Sequence, residues 1–141
     1  MRRVAITGLG VVSPLGNDVE TFWNNIKSGK CGIGEITLYD TSAQKVKLAA
    51  EVKDFHPETV HDRKELRRMD RFTQFAVAAS AEAMADSGID LEKTDRERFG
   101  VLVSSGIGGL NAIQNENKRG AEKGYDKVMP YFMPMAISNL A

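Results

Sequence analysis

The sequence predicts an α/β fold in which short apolar strands lead through glycine-rich turns into helices. Residues 101–103 (Val-Leu-Val) run into a segment with glycines at 106, 108 and 109, the order expected where a buried parallel strand ends and a helix follows. Residues 3–9 form a second apolar run with a glycine near its end. Residues 72–84 are almost entirely small or apolar, as in a helix that is buried on most sides.

The composition indicates one globular domain without a charge bias. The chain has 141 residues, of which 42% are hydrophobic and 27% charged, as in ordinary soluble domains. The 19 basic and 19 acidic residues balance, and no apolar run reaches the roughly 20 residues of a membrane span. The sequence therefore predicts neither a nucleic-acid nor a membrane partner.

Cysteine usage and the start of the chain both indicate the cytoplasm. A single cysteine, Cys31, excludes an internal disulfide and fits a reducing compartment. The apolar run near Met1 is too short and too interrupted by glycine for a signal peptide. A cytoplasmic location is the expectation.

The first quarter of the chain predicts a strand, a turn and a helix. The strand covers residues 3–9, and Pro14 places a turn over 13–17. Asp18 is the expected N-cap of the helix, and residues 28–30 end it. The side chains expected to form its buried stripe are Phe22, Trp23 and Ile26.

Two glycine-rich segments match the dinucleotide-binding fingerprint incompletely. In segment 8–13, Ser13 stands where the fingerprint needs Gly or Ala, and Pro14 breaks the helix that should receive the pyrophosphate. In segment 106–111, Asn111 stands at the same position. A nucleotide-binding domain is the alternative that these two incomplete fingerprints leave open.

Residues 31–61 show little that predicts catalysis. Cys31 has no thiolate-stabilising neighbour in the sequence, so we expect a structural or incidental role. His56 precedes a proline and is expected in a surface loop. One strand is expected around residues 46–52.

A cluster of basic residues follows a predicted helix cap. Asp62 and Glu65 have capping-box spacing. The basic residues after Asp62 lie three and four positions apart, so a helix would place them on one face. They are Lys64, Arg67, Arg68 and Arg71. This face is either a solvated surface or a docking surface for an acidic partner.

The second half of the chain predicts two helices and an extended apolar segment. The helix over 72–84 stops near Gly88, and a charged linker follows over 90–98. A second helix over 110–122 is expected to turn Leu110 and Ile113 inward. The two prolines within 129–135 predict an extended segment rather than a helix, and a further helix is expected to begin at Ile137.

Five blocks, taken in their order along the chain, resemble one protein family. They are VAITGLG at 4–10, SPLGN at 13–17, RRMDRFTQF at 67–75, SSGIGGL at 104–110 and PYFMP at 130–134. Together they resemble the amino-terminal part of the bacterial β-ketoacyl-[acyl-carrier-protein] synthases of type II. The resemblance covers the whole chain.

This resemblance implies a thiolase-like, layered α/β/α/β/α fold, with residues 1–141 forming part of its first half and ending before the family's catalytic cysteine. It implies a homodimeric acyltransferase that elongates fatty acyl chains by decarboxylative Claisen condensation with malonyl-[acyl-carrier-protein], without a metal or other cofactor. The family's catalytic cysteine and two histidines have no counterpart here, because Cys31, His56 and His61 lie outside those motifs. Residues 1–141 alone are expected to be inactive.

The resemblance also assigns supporting roles to three groups of residues. Ile107 matches the isoleucine that lines the acyl pocket, and Gly106, Gly108 and Gly109 match the turn that holds it. Phe132 and Met133 match a segment that reaches the second subunit of the dimer and closes its acyl pocket. The basic residues matched to the surface that meets the acidic carrier protein are Lys64, Arg67 and Arg68.

One alternative comes from a different functional class. Some relatives lack the cysteine and act as non-catalytic partners that bind the carrier protein or form the dimer. This chain ends before the position that would separate such a relative from an active synthase.

Overall fold

The computed structural model describes residues 3–140, in which helices supply most of the regular structure. The helices are α1 (Val19–Lys27), α2 (Arg63–Leu66), α3 (Arg71–Ser87), α4 (Leu110–Lys123) and α5 (Phe132–Ala136). Two short strands are β1 (Gly34–Glu35) and β2 (Leu48–Ala49), and the short 3₁₀ turns are Pro57–Thr59, Arg96–Arg98 and Tyr125–Lys127. The ends of the predicted domain, Met1, Arg2 and Ala141, lie outside the described residues.

Helix α1 begins at the predicted cap but is less buried than its sequence predicts. The Asp18 carboxylate accepts the Thr21 backbone N–H at 2.7 Å, and Ser28 ends the helix. Phe22 is half-buried, whereas Trp23 is 56% and Ile26 42% exposed. The predicted stripe is therefore wrong for its last two members, because little of the described chain covers that face.

A two-stranded antiparallel sheet joins β1 to β2. Gly34 pairs with Ala49 and Glu35 with Leu48. The strand predicted over 46–52 is confirmed only at its centre. Beyond β2, the carboxylate of Glu51 accepts hydrogen bonds from the Thr37 hydroxyl and backbone N–H, which hold the pKa of this carboxyl below its usual value.

The strands predicted over 3–9 and 101–103 are not formed. Val4 is 93% and Leu102 92% exposed, and both segments lack regular secondary structure. A strand needs a neighbour to satisfy its backbone groups, and neither segment has one within residues 3–140. The Leu9 N–H instead donates to the Asp86 carboxylate of α3 at 2.9 Å.

Helix α3 confirms the position of the predicted core helix but not its burial, since Thr73 is its one buried residue and most of the others are half-buried. It extends to Ser87 and ends at Gly88, whose φ of 63° is left-handed, as is common at helix ends. Its first two turns are buried or half-buried from Phe72 onwards. Phe75 packs edge-on against Phe55, with 4.9 Å between ring centroids.

Helix α4 is confirmed in position but not in orientation. Its buried residues are Ala112, Glu116 and Gly120, spaced four apart, whereas Leu110 and Ile113 are 55% and 37% exposed. The buried face packs against the chain that follows α4, since the Glu116 carboxylate accepts the Met129 N–H at 2.8 Å.

The prediction of an extended segment over 129–135 is wrong, because Phe132–Ala136 forms helix α5. Pro134 is the third residue of this helix. In the first turn of a helix, the backbone N–H has no intrahelical partner, so a proline there removes nothing. Residues 137–140 form a turn rather than the start of the predicted helix.

The basic residues do not share one helical face. Helix α2 ends at Leu66, Arg67 is its C-cap, and α3 begins only at Arg71. The Asp62 cap is confirmed, since its carboxylate accepts the N–H of Lys64 at 2.8 Å and that of Glu65 at 2.9 Å. The three- and four-residue spacing of the basic residues does not place them on one face, because a new helix, with Asp70 as its N-cap, begins between Arg68 and Arg71.

Candidate functional site

The candidate site is built around the Ile107 turn, defined as residues 105–109. The Ser105 hydroxyl accepts the Gly108 N–H at 3.0 Å, which closes the turn. The Gly109 N–H donates to the Ala136 carbonyl at 3.0 Å, which ties the turn to the end of α5. The Ile107 side chain is 66% exposed. The turn therefore presents an apolar side chain from a fixed backbone.

Two glycines are required for this docking. Gly108 has a φ of 87°, a backbone conformation that residues other than glycine rarely adopt. A Cβ atom at Gly108 would also collide with the Ala136 carbonyl oxygen, and one at Gly109 with the Met135 carbonyl oxygen. Gly106 faces open space instead.

A buried carboxylate holds the other side of the turn. Asp70 is 7% exposed, and its Oδ2 accepts the Ala112 N–H at 2.8 Å. Ala112 is the third residue of α4, whose N-cap is Gly109 and has no side chain to cap the helix. Asp70 therefore caps α4 from 42 positions earlier in the chain. Sequence reasoning missed this role because an aspartate before α3 indicates only a local cap.

This arrangement disfavours a phosphate site at the start of α4. Helix N-termini bind anions through free backbone N–H groups. Here the N–H of Gly109 is bonded to Ala136 and that of Ala112 to Asp70. The Asp70 carboxylate would also repel a phosphate. At the other glycine-rich segment, helix α1 does not begin until Val19.

Phe132 and Met133 form the start of α5. Phe132 is half-buried and lines a cavity of about 410 Å³, whereas Met133 is 55% exposed. The remaining residues around this cavity come from α4 and the chain that follows it: Ile113, Glu116, Asn117, Tyr125 and Val128. The far end of α5 contacts the Ile107 turn through Ala136.

The basic residues differ in their surroundings. The Arg68 guanidinium lies 4.5 Å from the ring centroid of Tyr131, directly before α5. Arg71 donates to the Val52 carbonyl at 3.0 Å and packs on Phe75. Lys64 and Arg67 are exposed, and within residues 3–140 no carboxylate lies at ion-pair distance from either.

The structure thus joins the predicted groups through α5. Arg68 contacts its beginning through Tyr131, and the Ile107 turn contacts its end. Lys64 and Arg67 precede this unit on α2 and at its C-cap.

The cysteine and histidines lie in ordinary surroundings. Cys31 is exposed. His56 pairs with Glu58 at 3.1 Å and His61 with Glu65 at 2.8 Å. Across the described part of the chain, no three potential metal ligands cluster. None of the helices described is long and apolar enough to cross a membrane.

Comparison with known protein families identifies one domain. The chain matches the β-ketoacyl synthase N-terminal domain over residues 1–141. It is 46% identical over 140 residues to 3-oxoacyl-[acyl-carrier-protein] synthase 2 of Staphylococcus aureus strain COL, and 45% identical over 140 residues to that of Coxiella burnetii strain RSA 493. Each alignment covers 99% of this chain and 34% of the relative. The chain therefore spans about a third of the length of the curated relatives that it matches.

Solved ketosynthase structures have the same backbone path. A β-ketoacyl synthase from Burkholderia phymatum has a TM-score of 0.77 at 27% identity, covering 98% of this chain and 34% of that one. The ishigamide ketosynthase/chain length factor has a TM-score of 0.75 at 29% identity, covering 94% and 33%. A chain from the complex of a type II polyketide synthase acyl-carrier protein with its ketosynthase has a TM-score of 0.78 at 24% identity, covering 97% of this chain and 35% of that one. The predicted thiolase-like α/β fold is confirmed.

Proposed function

Since this chain belongs to the β-ketoacyl synthase family, whose N-terminal domain it matches, we propose that it supplies the amino-terminal part of a 3-oxoacyl-[acyl-carrier-protein] synthase II. The observation that carries this proposal is the 46% identity over 140 residues to a synthase of that name. The proposed enzyme elongates fatty acyl chains in the cytoplasm and acts as a homodimer.

In the proposed reaction, an acyl group held as a thioester on an enzyme cysteine condenses with malonyl-carrier protein. The bond between the malonyl α-carbon and its carboxylate breaks, carbon dioxide leaves, and the electron pair of that bond forms the new bond to the acyl carbonyl carbon. The bond from the acyl carbonyl carbon to the cysteine sulfur then breaks, and its electron pair stays on the sulfur. The cysteine regains its thiol when it takes a proton. Cys31 is not assigned this role, because a catalytic thiol needs a base held beside it, and both described histidines pair with glutamates.

The substrate-binding roles are assigned to the Ile107 turn and to α5. Ile107 lines the acyl pocket, Gly108 allows the turn that presents it, and Gly106 directly precedes Ile107 in that turn. Phe132 and Met133 close the acyl pocket of the second subunit. The exposure of Ile107 and Met133 supports these roles, because an apolar side chain that contacts substrate must not be covered by its own domain.

The carrier protein, loaded with an acyl or malonyl group, is proposed to dock on Lys64, Arg67 and Arg68. Two observations support this surface: Lys64 and Arg67 are exposed without an ion-pair partner in residues 3–140, and Arg68 adjoins α5. Exposed charges of this kind raise association rates and set orientation.

A condensation assay tests the proposed activity. A protein that carries this chain as its amino-terminal part should convert acyl- and malonyl-carrier protein into 3-oxoacyl-carrier protein and carbon dioxide. Residues 1–141 alone should form no product. Absence of product from the longer protein, with its family cysteine present, would overturn the proposal.

The non-catalytic alternative gains its support from the ishigamide ketosynthase/chain length factor, at 29% identity. The higher identity to the synthases favours the active enzyme. Carrier-protein binding together with a missing family cysteine would instead establish the non-catalytic relative.

Charge reversal tests the docking surface. Changing Lys64 and Arg67 together to glutamate should weaken carrier-protein binding and reduce its salt dependence. These two residues are preferable to Arg68, whose replacement would also remove the contact with Tyr131. Reversing Lys118, which lies on α4 and pairs with Glu122, is the matched control. Unchanged affinity and salt dependence in the double variant would show that the carrier protein docks elsewhere.

A further inference from the structure

We propose that Asp70 is a positioning residue that fixes the Ile107 turn and thereby sets the acyl chain-length selectivity of the enzyme. This inference rests on the proposed function for its second half, the selectivity. Its first half, the fixing of the turn, depends only on contacts within the chain.

The position of Asp70 makes its long-range contact specific. Asp70 occupies the N-cap of α3 with a φ of −71° and a ψ of 163°, yet its side chain makes no capping hydrogen bond to that helix. Its Oδ2 instead accepts the Ala112 N–H of α4 at 2.8 Å. The residue that starts one helix therefore stabilises the start of another.

Asp70 also adjoins the turn itself. A Cβ atom built on Gly109 would lie 3.0 Å from Asp70 Oδ2, so the carboxylate packs against the last residue of the turn. On the opposite side, the Gly109 N–H is bonded to the Ala136 carbonyl. Gly109 is therefore held between two fixed groups, and Ile107 lies only two residues before it.

Burial makes this support difficult to replace. Asp70 is 7% and Ala112 5% exposed, so water has little access to the Ala112 N–H if the carboxylate is removed. A buried donor left without an acceptor is destabilising. The backbone at the start of α4 would then shift to regain a partner, and the direction of the Ile107 side chain would become less well defined.

We expect Asp70 variants to change the selectivity for acyl chain length rather than to lose activity uniformly. An isoleucine that is held less firmly excludes acyl chains less sharply by length. Variants at Asp70 should therefore bring the kcat/KM values for short and long acyl substrates closer together.

The experiment compares Asp70→Leu and Asp70→Asn in the protein that carries this chain. Leucine keeps the branching at Cγ but is larger and has no acceptor, whereas asparagine keeps a carbonyl acceptor without the charge. The matched control is Asp86→Leu, because Asp86 is also on α3 and accepts a backbone N–H, that of Leu9, at 2.9 Å. Two properties are measured: hydrogen exchange of the Ala112 amide, and kcat/KM for a short and a long acyl substrate.

Asp70→Leu should accelerate Ala112 exchange on the order of tenfold or more, as expected for loss of a hydrogen bond to a charged group. It should also bring the two kcat/KM values closer together, so that the preference for the better acyl substrate over the poorer one falls at least severalfold. Asp70→Asn should restore much of both properties, and Asp86→Leu should alter neither. If Asp70→Leu does not fold, Asp70→Ala, which is smaller and also lacks an acceptor, takes its place.

Unchanged Ala112 exchange in the Asp70 variant that lacks an acceptor would overturn the positioning role. Faster exchange with an unchanged selectivity ratio would overturn the link to chain length. If the wild-type protein condenses no substrate, the proposed function fails and the selectivity claim fails with it. The exchange measurement would still decide whether Asp70 holds the turn.

Discussion

Gly108 is the residue at which both the backbone conformation and the packing require glycine. Its φ of 87° and the adjacent Ala136 carbonyl both exclude a side chain. We expect Gly108→Ala to destabilise a longer protein that carries this chain by about 2 kcal/mol or more, measured by urea unfolding. Gly106→Ala is the control, because a Cβ there meets nothing within 4 Å. Equal effects of the two substitutions would contradict this account of the turn.

Ile107 is the side chain that we expect to contact the acyl chain and to limit its length. Ile107→Phe should narrow the acyl pocket and lower kcat/KM for long acyl chains relative to short ones. Leu110→Phe enlarges another exposed apolar side chain, at the first position of α4, and should leave the preference unchanged. If Ile107→Phe does not alter the chain-length preference, Ile107 does not line the acyl pocket.

Sequence reasoning succeeds for single residues whose partners are local. The caps at Asp18 and Asp62 are predicted correctly, because each carboxylate bonds an N–H within three positions. The cap at Asp70 could not be predicted in this way, since its partner is 42 positions away. Glu116 was missed for a similar reason, because it bonds the Met129 N–H across the end of α4.

At the scale of elements, α1 provides a pH-dependent prediction. Its cap, Asp18, has a pKa below the ordinary value of 3.8, because the Thr21 backbone N–H hydrogen-bonds the carboxylate. The lowered pKa means that the unfolded chain binds the proton more readily, so the contribution to stability is present above about pH 4. It is lost as the pH falls through the lowered pKa.

Urea unfolding of Asp18 variants of a longer protein that carries this chain measures this contribution. Asp18→Ala should lower the stability by about 1 kcal/mol at pH 7, and by less at pH 3. Asp18→Asn keeps an uncharged cap and should be less sensitive to pH over this interval. A cost of Asp18→Ala that is the same at both pH values would show that the charge of the carboxylate does not contribute.

The elements also show where pattern and structure diverge. Helices α1, α3 and α4 follow their sequence signals because helical hydrogen bonds are local. The segments 3–9 and 101–103 have strand-like sequences but no neighbouring strand in the described chain, so strand propensity alone does not form a sheet. Pro134 misled the prediction for α5, because its place in the first turn depends on where that helix begins.

At the scale of the whole molecule, the described part of the chain has a small core. Among residues 3–140, Ala112 is the one buried hydrophobic residue, whereas several large apolar side chains are more than 80% exposed. These are Val4, Ile6, Val101 and Leu102. Apolar surface of this extent is typical of a surface that contacts other protein.

We therefore expect residues 1–141, when isolated, to bind a hydrophobic dye and to unfold with low cooperativity. Calorimetry and dye fluorescence measure the two properties. A longer protein that carries this chain should bind less dye per chain and unfold cooperatively. A sharp transition of the isolated chain without dye binding would show that these apolar side chains are covered.

The fold of the whole chain was predictable from several motifs taken together. Their order indicated a family that the 1–141 domain match confirms. The packing between the motifs was not predictable, because contacts such as those of Gly108 with Ala136 join residues far apart in sequence.

The hydrogen bond between Asp70 and Ala112 joins residues 42 positions apart, so its two partners are synthesised at different times. At typical translation rates, Asp70 leaves the ribosome roughly two to eight seconds before Ala112. During that interval the carboxylate has no partner, while α3 can already form from local contacts. The first turn of α4 then emerges next to an acceptor that is already in place. Where α3 forms first, the later helix is built onto the earlier one, and a ribosome that pauses between the two lengthens the time for which this carboxylate lacks the Ala112 N–H.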